Sequence, residues 1–514
     1  MSNSRTTNSI RNIIWAVIQK IMLMLFPFAV RSVMIYKLGA EYTGVGSLFN
    51  SILNMLSLAE LGFSSAMVYC MYEPIHRQDE DTICALLNLY KKIYGVIGGI
   101  ILAVGLMLIP FLPNLVDSQI PTGINLYTLY VIYLINSVMS YFLFAYKSSL
   151  ITAYQRNDVV SIITLVCNVA LYVLQIIALL LTANFYLYAS LLVVSTVVTN
   201  ISYEVASRKL FPTITCTGVV EADLKEKIKK RVIGIMLYKI SSTTRISFDS
   251  IIISSCLGLI TLTQYQNYFM IISSVAGILS MVNTAVTASV GDSIVAKNID
   301  DNYRDFRKIV FVYIWIAGCA SICILGLIQP FMKLWMGDKL MLSGTMVVMF
   351  TVYFYVQAMG DTVFLYRTAA GLWWQDRIRP VVEAIANIIL NIILVKILGL
   401  FGVILATVIT LVVINFLWGA DILFRHYFKR SMKGYLVIQC RQAIATVVAG
   451  MVTILVCQLI QMDGIIQLLL RLIVCVVVPN IVYFLVNKRN ELFGEAKEFV
   501  IHIIRVITNK ITKQ

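Results

Sequence analysis

Seven ionisable residues sit deep inside stretches of the chain that are otherwise apolar or small: Arg31, Glu60, Lys239, Arg245, Asp249, Asp361 and Glu383. A charge at the centre of a bilayer costs roughly 2.5–3.5 kcal/mol on insertion scales, so each must be paired or face water. Arg245 and Asp249 stand four residues apart in ISSTTRISFDSIII, share a helical face and can pair. That segment also carries Ser241, Ser242, Thr243, Thr244 and Ser247, a composition suited to a helix lining a watery space. Glu60 falls about midway along an apolar run, beside Gly62, Ser64 and Ser65, whose small side chains permit close helix packing. Groups of this kind bind and pass ions, and interior carboxylates can hold H+ or Na+. The competing reading, that the charges pair privately and only hold helices together, stays open at this level. Lys37, Lys147, Arg367, Lys396 and Asp421 lie near predicted helix ends, where snorkelling or topology explains them.

The elements that must position these residues follow from composition. Of 514 residues, 59% are hydrophobic and 13% charged, with mean hydropathy +0.85. Soluble domains are about a quarter charged, so the chain reads as an all-α polytopic membrane protein. A spanning helix needs about 20 largely apolar residues, which gives about fourteen candidates. They include 43–71, 124–153, 231–256 and 262–291. The start, MSNSRTTNSIRNIIWAVIQK, has no cleavage site after a short apolar core and reads as a retained first transmembrane helix. The net charge is +15, yet the cations fall in short loops rather than on a soluble face, so nucleic acid is not expected as a partner. Basic loops such as Arg208–Arg231 and Arg425–Lys433 alternate with cation-poor ones, and the positive-inside rule places the basic set and both termini in the cytoplasm. The ten Cys are scattered and His totals three, so no metal site and no cofactor is expected. The tail 489–514 repeats Phe493, Val500, Ile503, Ile504, Ile507 and Ile511 at helical spacing, as an amphipathic helix on the membrane surface would.

Placed against itself at an offset near 220, the sequence aligns with itself. Leu38-Gly39 falls over Leu257-Gly258, Tyr146-Lys147 over Tyr366-Arg367, and Tyr154-Gln155 over Trp374-Gln375. Ala189-Ser190 matches Ala406-Thr407 at a slightly smaller offset. The order of these pairs predicts two parallel repeats: a six-helix lobe over 1–215, a second over 216–432, two added helices over 433–488 and the tail from 489. In parallel repeats the substrate path is expected where the halves meet.

The run LGAEYTGVGSLFNSILNMLSLAELGFSSAMVY, with its LG-x-E-x-x-G and AELGF pieces, together with ITAYQRND and the six-plus-six-plus-two layout, resembles bacterial Wzx-type polysaccharide (O-antigen) flippases. These belong to the multidrug/oligosaccharidyl-lipid/polysaccharide exporter superfamily. The resemblance implies a V-shaped, MATE-like bundle around a partly cationic cavity in the bacterial inner membrane. It implies a non-enzyme that flips undecaprenyl-pyrophosphate-linked oligosaccharides to the outer leaflet, with a polysaccharide polymerase as a downstream partner and H+ or Na+ as candidate coupling ions. Of its motif, Glu60, Leu61, Gly62 and Phe63 match residue by residue. Arg31, Lys239 and Arg245 are candidates by position alone to meet pyrophosphate or acidic sugars, since a guanidinium fork suits phosphate oxygens.

Two other classes compete. A multidrug antiporter of the same superfamily is expected to have twelve helices and an acidic cavity for small cations, which the two extra helices and the cation-rich candidates oppose. A membrane-embedded polymerase or glycosyltransferase is expected to carry a large external loop with charged catalytic groups. The external loops here are short, and the sequence has no DxD pair at such a place and no Walker A run for direct ATP use.

Overall fold

The computed structural model describes residues 2–60, 62–116, 121, 123–499 and 501, and among these no strand occurs. By internal contact the chain groups into two compact units, Met1–Thr263 and Gln264–Gln514, so residues 216–263 fall with the first. The first unit contains α1 (Ser2–Lys37), α2 (Ala40–Leu56), α3 (Phe63–Arg77), α4 (Glu80–Leu108), α5 (Leu126–Phe142), α6 (Ala145–Ala153), α7 (Asn157–Thr182) and α8 (Phe185–Leu210). The helix α9 (Ala222–Ala296) contributes to both units. The second continues with α10 (Ile299–Met336), α11 (Gly344–Ala369), α12 (Arg379–Leu398), α13 (Leu400–Thr410), α14 (Gly419–Leu423), α15 (Lys433–Gln458) and α16 (Gly464–Asn487). Two π-helical segments, Leu411–Trp418 and Phe424–Phe428, flank α14, so 400–428 is one helix wound two ways.

Side-chain caps set several starts. Asp79 accepts from the Thr82 amide, Asn125 from Thr128, Asn184 from Tyr186 and Leu187, and Asn298 from Asp301. In the first unit α1 packs on α7, α8 on α5 and α7, and α3 on α6. In the second α10 packs on α11, α15 and α16. There Phe306 sits among the rings of Tyr366, Phe428 and Tyr435 at centroid distances of 4.8, 5.1 and 5.3 Å.

Among the described residues, eleven helices are long and apolar enough to cross a membrane, or twelve if a bent pair counts as one span. The chain is a multi-pass integral membrane protein. The difference from about fourteen lies in how four predicted segments are built. The 124–153 span is the bent pair, α5 and α6 meeting at 45°. The 43–71 span is α2 and α3, separated by a short 3-10 turn, Ser57–Glu60, and by Gly62 at φ 93°. The 231–256 and 262–291 spans are two helical stretches of α9, separated by a kink at Gly258, whose φ 85° and ψ 170° are not helical.

Backbone geometry supports the repeat and adjusts its register. Gly39 has φ 112° and ψ 169°, close to the values at Gly258, and these are the glycines that the sequence paired. Such a conformation is almost restricted to glycine. Ala189 and Ala406 are both fully buried. The turn after α6 does not follow the sequence pairing. Gln155 (φ 60°) corresponds in geometry to Gly371 (φ 69°), not to Gln375. Both follow the same bond pattern: Arg156 N donates to Ile151 O across Gln155, and Leu372 N donates to Arg367 O across Gly371. The second turn is longer before its next helix begins at Arg379, which explains why a single offset aligned only part of it.

The described part of the tail packs on the second unit. Residues 491–499 are helical, with Leu492 and Ala496 buried against Phe311, and Phe493 stacks on Trp315 at 5.7 Å. Val500, Ile503, Ile504, Ile507 and Ile511 lie outside the described residues.

Gly44 on α2 meets α9 just past Gly258: a Cβ there would stand 2.5 Å from Leu259 O and 2.9 Å from its Cβ. Gly44→Ala should destabilise the protein by about 1–3 kcal/mol through overpacking, and Gly258→Ala by a similar amount through strain of about 1–3 kcal/mol. Thermal unfolding in detergent reads both; an unchanged midpoint for either would remove that contact or that strain from the account.

Candidate functional site

Glu60 closes the 3-10 turn where the second span is interrupted, and it is half-buried. Tyr94 and Tyr141 each donate a phenol O–H to it, one to each carboxylate oxygen, both at 2.5 Å. Tyr90 donates to Tyr94 at 2.9 Å, Ser149 reaches Tyr90 at 3.4 Å, and Ser64 bonds Ser149 at 2.9 Å. Hydroxyls from α3, α4, α5 and α6 thus form one chain ending on the carboxylate. This is hydrogen-bond solvation of a carboxylate by phenols, a way to hold an interior charge without a counter-cation. Tyr90 and Tyr94 are a helical turn apart on α4, a spacing visible in sequence, but nothing local told that they would face Glu60.

The polar stretch of α9 turns inward. Ser241, Thr244, Arg245, Ser247, Asp249 and Ser250 are buried, whereas Ile246 is exposed, which is the inverse of a soluble amphipathic helix. Arg245 and Asp249 therefore do share a buried face. Lys239, one turn earlier on α9, is half-buried. Arg31 on α1 is half-buried and donates to the Thr263 carbonyl at 3.3 Å, and the Thr263 hydroxyl donates to Ala40 O at 2.7 Å.

In the second unit, Asp361 on α11 accepts from Tyr313 at 3.2 Å, and that phenol accepts from Asn283 at 2.9 Å. Glu383 belongs to a denser assembly. Arg367 Nε lies 3.3 Å from Asp376; Arg379 bonds Asp376 through Nε at 2.6 Å and through its second nitrogen at 3.2 Å. Arg379 also donates to Glu383 at 2.8 Å, and Asn415 adds bonds of 3.1 and 3.3 Å to the same carboxylate. All four charged residues are buried, and their formal charges cancel. Gly360 and Gly419 make the room: a Cβ would stand 2.6 Å from Asn415 Oδ1 at one and 2.3 Å from the Arg367 guanidinium at the other.

Two residues assigned to snorkelling are corrected by this geometry. Lys147 is buried 3.7 Å from Glu204, and Arg367 is buried in the four-charge assembly; neither reaches the interface. Lys37 and Lys396 are exposed, and Asp421 pairs with Arg425 at 2.7 Å. The pattern Asp376, Arg379, Glu383 was legible at i, i+3 and i+7; the partnership with Arg367 across a turn was not.

Comparison with solved structures now bears on these helices. No protein-family model matches the chain, and no curated protein matches it. The chain is similar to an inward-facing multidrug resistance MATE family transporter of the MOP superfamily, at 13% identity and TM-score 0.63, over 79% of this chain and 97% of that one. It is similar to the lipid II flippase MurJ in an inward closed conformation, at 15% identity and TM-score 0.64, over 93% of this chain and 99% of that one. A MOP-superfamily transporter from Pyrococcus furiosus, described by the reverse polarity of its binding pocket, matches at 15% identity and TM-score 0.55, over 83% and 97%. The fold is that of the MOP-superfamily transporters. Those neighbours are transporters and flippases rather than enzymes.

Removing one member of a buried ion network leaves its partners uncompensated, at a cost of about 3–5 kcal/mol. Arg379→Ala should therefore sharply lower the unfolding midpoint, whereas Tyr141→Phe, which deletes one phenol from a half-buried carboxylate, should lower it far less. Equal losses, measured by thermal unfolding in detergent, would contradict the distinction between the two centres.

Proposed function

We propose that the protein flips undecaprenyl-pyrophosphate-linked oligosaccharide units from the cytoplasmic to the outer leaflet of the bacterial inner membrane by alternating access. The observation that carries this reading is coverage. The flippase match spans 93% of the chain, and the remaining 7% is shorter than α15 and α16 together, which have 26 and 24 residues. The multidrug transporter matches reported above and others of that kind stop between 79% and 85%. The flippase match therefore takes in at least part of the helices beyond a twelve-helix plan, which supports the lipid-transport reading.

The physical task is to carry a charged, hydrated head group past hydrocarbon while the lipid tail stays in it. On this reading Arg31, Lys239 and Arg245 meet pyrophosphate or acidic sugars when the protein opens to water, a use suited to guanidinium and ammonium groups. Asp249 balances Arg245, Glu60 and Asp361 hold interior negative charge through phenols, and Glu383 stays in its ion network as support. Alternation requires different affinities in the two open states, not merely tight binding. The basic loops lie on the cytoplasmic side, with both termini, by the positive-inside rule. A multidrug antiporter is the second reading, favoured by the MATE-family neighbours.

Purified protein in liposomes should translocate a fluorescent polyprenyl-pyrophosphate oligosaccharide. Arg245→Glu should abolish this and Arg245→Gln reduce it about tenfold or more, the loss expected when a charge-assisted hydrogen bond of roughly 1.5–3 kcal/mol is removed, with the folded fraction checked by unfolding midpoint. Full transport by folded Arg245→Glu would remove the cation site. Export of cationic dyes with no lipid-linked transport by the wild type would replace the flippase reading with the antiporter.

A further inference from the structure

A groove of about 530 Å³ opens within the first unit between α3, α4 and the start of α9. Its volume lies in the roughly 300–1,000 Å³ range of ligand sites. The walls are almost wholly apolar, built from Phe63, Leu89, Ile93, Ile228, Val232 and Ile233. Lys225 and Lys229 line it as well and are exposed, with Glu226 the one acid among the lining residues. On α4, Lys91 and Lys92 are exposed and fall in sequence between the lining residues Leu89 and Ile93.

The placement of these cations along their helices says what the groove meets. On α4 an unbroken apolar run starts directly after Lys92, and on α9 the apolar character begins at Val232, directly after the cluster Lys225, Lys227, Lys229, Lys230 and Arg231. On the α9 wall, therefore, the change from basic to apolar falls within the groove, and on α4 the last cations before the apolar run fall between two lining residues in sequence. A membrane surface presents the same change, from phosphate to hydrocarbon, over the same short depth. Juxtamembrane clusters of four to eight cations attract anionic lipid, each near-surface cation contributing about fivefold in affinity. Surface charge alone needs no slot, and an apolar slot alone needs no lysines. Here the two are joined.

We propose that this groove binds one anionic phospholipid, its phosphate held by Lys225 and Lys229 and an acyl chain laid against Phe63, Leu89 and Ile93. The site is independent of the transport assignment and would hold for a flippase or an antiporter alike. Because α9 carries Arg245 and Asp249 about four to seven turns further on, an occupant at its start also steadies the helix that presents them.

The test is native mass spectrometry of the full chain in detergent, titrated separately with phosphatidylglycerol and phosphatidylcholine. The wild type should retain one phosphatidylglycerol with a preference of fivefold or more. K225Q/K229Q should lose most of that preference, and K225E/K229E should reverse it, with unchanged unfolding midpoints in the absence of lipid. Ile93→Trp, which fills the slot and leaves every cation, should weaken both lipids. Undiminished preference in folded K225E/K229E would overturn the proposal. So would displacement of the lipid by glycerol 3-phosphate at equal concentration, which would reduce the site to a phosphate contact, or selective retention of a polyprenyl phosphate over phosphatidylglycerol, which would give the groove to a transported lipid.

Discussion

A formal charge placed in hydrocarbon must be neutralised by its own protein, and that requirement organises both units. In the second, Arg367, Asp376, Arg379 and Glu383 form a closed and neutral series, with Asn415 completing the coordination of the last carboxylate. Much of the local structure follows from it. Glycine is required at 360 and 419 because the guanidinium and amide groups occupy the space a methyl would take. The turn after α11 is held closed because Arg367 and Arg379, on either side of it, both grip Asp376. Pairs of this kind stabilise little relative to an apolar core, but they punish the loss of one member heavily.

Glu60 meets the same requirement differently. Phenol donors from two helices reach both of its oxygens. An ion network fixes its members to one another, whereas phenols can rotate away and leave the carboxylate to another partner. The break in the backbone at 57–62 places that carboxylate at a joint between α2 and α3 rather than on a straight helix. Of the seven interior charges, this one combines a discontinuous helix with partners that exchange easily.

The helical class, the approximate spans and the repeat were legible because hydrophobic length and self-similarity are local or linear properties. The pairing of Gly39 with Gly258 was correct to the residue, since an unusual backbone conformation demands the same amino acid in each copy. The spans depart from one straight rod per apolar run at three places: the 45° bend of α5 and α6, the kink at Gly258 inside α9, and the break at Glu60. Lys147 and Arg367 were misjudged for another reason. Distance from a helix end suggests snorkelling, but their burial is decided by Glu204 and Asp376, whose positions are known only once the helices pack. The inward turn of residues 241–250 was readable because a polar face cannot point at lipid.

The π-helical winding of 411–418 and 424–428 carries one more meaning. A π turn takes in more residues than an α turn, so the side chains that follow are rotated about the helix axis relative to an unbroken α-helix. The corresponding helix of the first copy, α8, is a plain α-helix from Phe185 to Leu210. Duplication supplied two equal lengths of chain, and this change of pitch made them unequal parts. Asn415 and Gly419, four residues apart, both meet the charged series, and on α8 Asn200 and Glu204 meet Ser140 and Lys147 at the same spacing, so the copies keep the positions and change the partners. The copies have kept a common outline and acquired separate interiors.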